Sequence, residues 1–217
     1  MTNERLSGLA LLAGSAGVII TLALHPSGRG LFSPDSFAAE ARKLIAVHSL
    51  ALTCLPLWFL GACGVARRVG VARESDQQLG FAGLVFYGFA LAAMMTAVIF
   101  DGLVSPGIAA RINEATGTVG QGWRIAFNYN STVDGAFVRV VIAASSVALL
   151  LWSVAILRGS TLPRALGVYG CLLSVATLVA LLSGELDRYF HIFGAVLVGQ
   201  TVWFVTAGML LSRRQSA

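Results

Sequence analysis

Charge is what this sequence lacks. Only 12% of its 217 residues are Asp, Glu, Lys or Arg, while 57% are hydrophobic. A soluble domain has a similar apolar share but about 25% charge, so an ordinary water-soluble globule is excluded. Cysteine is also scarce. Cys54, Cys63 and Cys171 form no CxxC pair and lie in apolar stretches, where they read as small packing residues. There is no HExxH and no closely spaced histidine pair, so no metalloprotease motif is present. Polar residues near the middle of the apolar stretches are few: Thr53, Thr96, Ser146, Thr177 and Gln200. That scarcity weighs against ion or proton transport, which needs a polar path.

What is present is hydrocarbon-like sequence, with mean hydropathy +0.80. Apolar runs cover 6–24, 44–66, 79–100, 136–157, 165–183 and 190–212. Each approaches the roughly 20 residues needed to cross a bilayer. Backbone amides in lipid must be satisfied within their own segment, so each run predicts a helix. The expected fold is all-α: one polytopic transmembrane bundle of six helices spanning 1–217. The first run is longer than a signal-peptide core and no small-x-small site follows it before His25-Pro26, so it reads as retained. The net charge of +5 points to anionic headgroups of the lipid bilayer as partner and not to nucleic acid, because the basic residues flank the runs. Homo-oligomer and membrane-complex subunit both stay open.

Orientation rests on charge density in short connectors. Arg67-Arg68 and Arg213-Arg214 abut run ends, and Arg158 and Arg164 share the fourth connector. These place both termini in the cytoplasm. Trp58, Trp152 and Trp203 each precede those arginines and predict an aromatic belt at the cytoplasmic interface. Ala10/Gly14 and Ala13/Gly17 are small-xxx-small pairs for close helix approach. Pro56 frees the carbonyl of Leu52 and is a candidate kink.

Leu79-Gly80-Phe81-Ala82-Gly83 and Leu166-Gly167-Val168-Tyr169-Gly170 open the third and fifth runs as a faint repeat. The stretch Leu162-Pro163-Arg164 through Gly170, with the hydropathy profile, resembles a group of uncharacterised bacterial six-helix integral membrane proteins. The resemblance implies a multi-pass protein of a bacterial inner membrane and brings no activity with it.

Two connectors carry local signals. Ser33-Pro34-Asp35 is a helix start with Pro at the first position, so the second helix should begin before the membrane. The segment from Gly102 to Gly135 reads as a long third loop, with a turn at Ser105-Pro106-Gly107 and a short interfacial helix around Trp123–Phe127.

Alternating helix direction sorts the polar residues. His25 ends the first run, and His48 lies four residues inside the second, about 6 Å along its axis. Asp101 ends the third, Arg139 lies just inside the fourth, and His191 opens the sixth. All fall at one end of the bundle, the extracytoplasmic end in this orientation. The candidate polar site is therefore His25, His48, Asp101, Arg139 and His191. Its metal-ligand subset is His25, His48, His191 and Asp101, which suits a divalent metal with one position open to water. A haem between His48 and His191 is the other cofactor reading. Arg139 has Asp134 and Asp101 as candidate partners. Three functional readings follow: a small-molecule-binding or accessory membrane subunit, a metal-dependent hydrolase or haem-linked oxidoreductase, and a small-molecule transporter.

Overall fold

The computed structural model describes the backbone of residues 3–71, 73–159, 162–184 and 190–213, and side chains of the last stretch from residue 194 onward. The described residues are helical and contain no strand. The helices are α1 (Asn3–Leu24), α2 (Pro34–Val69), α3 (Glu74–Ile99), α4 (Ser105–Glu114), α5 (Gly117–Leu157), α6 (Arg164–Leu182) and α7 (Phe190–Ser212). A 3-10 turn, Arg29–Phe32, precedes α2, and a π-turn, Phe100–Val104, joins α3 to α4 without a break. Among the described residues, six helical segments are long and apolar enough to cross a membrane.

The expected third loop is not a loop. The helix that begins at Glu74 runs on through the π-turn to Glu114, and α5 resumes at Gly117 after two residues. Pro106 is no turn signal; it sits in the first turn of α4, where a missing N–H costs nothing. Trp123–Phe127 belongs to the 41-residue α5. Glycine and polar residues there were misleading because glycine in a helix costs only about 1 kcal/mol, which a packed helix tolerates. At α2 the helix does start at Pro34, and it continues through Pro56.

The spans pack as a ring. α1 lies on α2, α2 on α3, α3 on α5, α5 on α6 and α6 on α7, and α7 closes against α1. A Cβ at Gly8 would lie 2.7 Å from the Gly208 carbonyl oxygen, so the start of α1 meets the end of α7. The start of α7, with His191, is thereby at the His25 end. On α1 the seam to α2 uses Ser7, Leu11, Gly14 and Gly17, set against Gly64, Gly61, Trp58 and Cys54. Ala13 faces outward.

The tryptophans form no surface belt. Trp58, Trp152 and Trp203 are buried inside the ring with Tyr87 and Phe204. Trp152 and Trp203 stack at 6.1 Å. Each indole N–H finds an acceptor: Ser15 Oγ at 3.1 Å, the Gly80 carbonyl at 3.0 Å and the Leu166 carbonyl at 3.1 Å. Each indole also rests on a glycine of the partner helix, Gly14, Gly83 or Gly170. An aromatic side chain with one polar atom is stable inside when the facing helix gives it room and an acceptor. The two segments that read as a repeat supply two of these cradles.

These aromatics fill the ring at the Arg67 end and in the middle. Toward the His25 end the inward positions are smaller, among them Ala51, Ala97, Val98 and Gly135, and a cavity of about 360 Å³ remains between α1, α2, α3, α5 and α7.

Candidate functional site

The cavity mouth holds the titratable residues, and three come together. His48 Nε2 lies 3.0 Å from Asp101 Oδ2, and His25 Nε2 lies 3.3 Å from the same oxygen. The two imidazoles meet edge to face with centroids 5.0 Å apart. One ligand atom from each of His25, His48 and Asp101 falls within 4.8 Å of the others.

Each residue is placed by local structure. His25 follows the last turn of α1, and its Nδ1 is 2.8 Å from the Pro26 carbonyl oxygen. The connector beyond it is held by Gly28, whose φ of +74° suits glycine, and by Glu40, which accepts the Gly28 N–H at 3.0 Å. His48 is buried on α2, with Nδ1 2.8 Å from the Leu44 carbonyl oxygen one turn earlier. Asp101 rides on the π-turn. Such a turn adds a residue to the helix and re-aims the side chains on it, often at functional sites. The Phe100 carbonyl there accepts from Asn130 Nδ2 at 3.1 Å and from Ser105 Oγ at 3.1 Å, and Asn130 also donates to Ser105 Oγ at 2.9 Å. Asn130 and Ser105 are both buried. Gly102 faces His48 so closely that a Cβ there would overlap the Cβ and Cγ of the histidine.

The hydrogen bonds define the tautomers. A carbonyl oxygen only accepts, so Nδ1 of both histidines must carry the proton. Both Nε2 atoms then turn toward a carboxylate oxygen, which also only accepts. A second cation must lie between them: a proton on Nε2, or a metal ion. With a proton, the hydrogen bond to Asp101 raises the pKa of His25 above 6.5, against the opposing effect of its partial burial. With a metal, Nδ1–H bonded to a backbone carbonyl is the usual arrangement that frees Nε2 for ligation. Metal–ligand bonds of about 2.0–2.1 Å in a tetrahedron put neighbouring ligand atoms roughly 3.3 Å apart. Two edges of the trio, at 3.0 and 3.3 Å, are near that value, and all three ligand atoms lie within 4.8 Å of one another.

Arg139 lines the same cavity from α5. His191 opens α7 at this end, but its side chain lies outside the described residues, as do Glu185 and Asp187 beside it. The haem pair His48–His191 therefore lies partly outside the described residues. Among the described side chains, His48 Nε2, which an iron would need, is engaged with Asp101.

Asp134 enters the site without being singled out from the sequence as a site residue. It lines the cavity, and its Oδ1 is buried with no hydrogen-bond partner. Neither Asn130 nor Gly102 was read from the sequence as a site residue. Asn130 and Asp134 are four residues apart and share a helix face, a signal visible only once residues 117–135 are read as helix. No protein-family model, curated protein or solved structure matches this chain.

Proposed function

We propose that this chain is a multi-pass membrane protein that binds a divalent metal, zinc by its donor set, through His25, His48 and Asp101, and uses it for hydrolysis of a small molecule held in the cavity. The carrying observation is the pair of Nε2 atoms converging on one carboxylate oxygen while both Nδ1 atoms are occupied by backbone carbonyls. Two histidines and a carboxylate are a known catalytic zinc set, with the fourth position left to water. Zinc lowers the pKa of that water toward about 7 and so supplies hydroxide near neutrality. Asp134 lines the same cavity with a buried oxygen that has no hydrogen-bond partner, and in this reading it takes the proton. The helix ends carrying Arg67, Arg68 and Arg158 face the cytoplasm in this reading, and the metal lies near the opposite interface.

Metal analysis of purified protein tests the proposal. About one zinc per chain is expected in the wild type, and well under half of that in His25→Ala, His48→Ala and Asp101→Asn. Folded wild type that takes up no zinc from excess would overturn the metal site. Stoichiometric iron in its place would overturn the hydrolase, because the same donor set with iron serves oxygen chemistry.

A further inference from the structure

The cavity has a shape as well as a volume. Its mouth carries His25, His48, Asp101, Asp134 and Arg139, and its deep end is closed by Trp58, Met94 and Leu197. His48 and Trp58 are ten residues apart on α2, which is about 15 Å at 1.5 Å per residue. The hydrocarbon core of a bilayer is about 30 Å thick. The cavity thus extends along the bundle axis over a length comparable to one leaflet. Its walls below the mouth are the apolar Val18, Leu22, Leu55, Val98, Val138 and Ile142, with Thr21, whose hydroxyl donates to the Gly17 carbonyl at 2.8 Å. Water gains little there, because it needs two or more polar partners. A hydrocarbon chain needs none. The volume of about 360 Å³ is near the lower end for small-molecule sites, roughly 300–1,000 Å³, which suits one chain and not two.

We propose that the cavity takes a single-chain amphiphile from the adjoining leaflet, an acyl ester or amide whose carbonyl meets the metal and whose chain lies against Leu55 and Trp58. This rests on the metal reading for its chemistry but not for its binding. With a metal held by His25, His48 and Asp101 to activate it, a water would add its oxygen to the acyl carbon. The bond from that carbon to the alcohol oxygen or amine nitrogen breaks, and the water's proton ends on the departing group, by way of Asp134. A free carboxylic acid and an alcohol or amine are the products. Arg139 places a positive charge at the mouth, where the carboxylate forms.

Photo-crosslinking tests the binding separately from the metal. The probe is a long-chain fatty acyl amide with a diazirine at mid-chain, added to the full chain in phosphatidylcholine nanodiscs. Mass spectrometry should map the label to the inner faces of α2 and α3, between Ala51 and Trp58 and between Met94 and Val98. Ala97→Phe, which fills the cavity from a buried wall position, should cut that label at least tenfold while zinc stoichiometry stays at wild-type level. His48→Ala should lose zinc and keep the internal label. Label confined to the outward-facing Leu60, Phe89 and Leu172 would overturn the proposal, even with zinc bound. Internal label on a protein that binds no zinc would support the occupant and overturn the hydrolase. Zinc-loaded wild type should also release fatty acid from the amide at least tenfold faster than Ala97→Phe. Equal rates would show that hydrolysis does not use the cavity.

Discussion

Gly102→Ala adds one methyl group and removes no ligand, so it isolates the geometry of the site. Helix propensity alone says the change should stabilise the protein by about 0.5–1 kcal/mol, since alanine loses less backbone entropy than glycine. The structure says the reverse. The new Cβ would overlap the Cβ and Cγ of His48 and lie 2.8 Å from its Cδ2. Non-bonded carbons rest about 3.5–4.0 Å apart, so α2 and the π-turn must separate by more than roughly 1 Å. Overpacking of this kind costs about 1–3 kcal/mol. The site suffers more than the fold. Metal–ligand distances tolerate about 0.2 Å, and a shift of 1 Å takes His48 Nε2 away from its 3.0 Å approach to Asp101 Oδ2. Loss of ligand alignment of this size weakens metal binding about 10–100-fold. Zinc affinity measured against a chromophoric chelator, with the melting temperature in detergent beside it, checks both effects. A variant that melts higher than wild type and binds zinc as tightly would refute the close approach and the site built on it.

Other substitutions probe separate links. Asn130→Ala removes two hydrogen bonds that hold the π-turn, to the Phe100 carbonyl and to Ser105 Oγ, and leaves that carbonyl the N–H and hydroxyl of Ser105; it should cost about 1–3 kcal/mol and weaken zinc binding about tenfold, read by the same two assays. Metal-stripped protein should be pH-sensitive through His25: its pKa is raised above 6.5 by Asp101, so its contribution is complete below pH 6.5 and fades as pH rises through the folded value. Melting temperature should fall over that window, and Asp101→Asn should flatten the profile; a flat wild-type profile would remove the His25–Asp101 bond. Zinc-loaded protein should show the opposite slope, because the metal needs unprotonated imidazoles. At the other end, Arg158 Nε is 3.4 Å from Asp76 Oδ1, and Asp76 is fully buried. Arg158→Ala should lower stability by about 1–3 kcal/mol, discounted because Arg158 is 43% exposed, and adding Asp76→Ala should recover part of that loss; additive losses in the double mutant would argue against the pair. Gly83→Leu forces Trp152 off its seat and should lower the yield of folded protein in gel filtration.

Much of the helical frame was legible because it is a local property. In hydrocarbon each backbone amide must find its partner within its own segment, so run length alone predicts a helix. Ser33-Pro34 marked the start of α2 for the same local reason. The segment Gly102–Gly135 was misread because its glycines and polar residues lower hydropathy without forbidding a helix, and α5 carries them on its extension beyond the apolar run. The tryptophans were misread for a different reason. A helix that is apolar all round carries no periodic signal of which face turns inward, so nothing in the sequence separates a lipid-facing Trp152 from the fully buried one.

The same distinction governs the site. Chain order and alternating helix direction determined that His25, His48, Asp101, Arg139 and His191 share one end, since successive long helices run in opposite directions. Only the tertiary structure decided which of them touch. The π-turn at Phe100–Val104 aims Asp101 inward, Gly102 lets α2 approach, and the backbone carbonyls of Pro26 and Leu44 turn two imidazoles toward one oxygen. The cavity below them is enclosed by five helices at once, with Ala51, Ala97 and Gly135 among larger apolar walls. Rotational phase, helix contact and enclosed volume depend on several segments at once, and no single stretch of sequence encodes them.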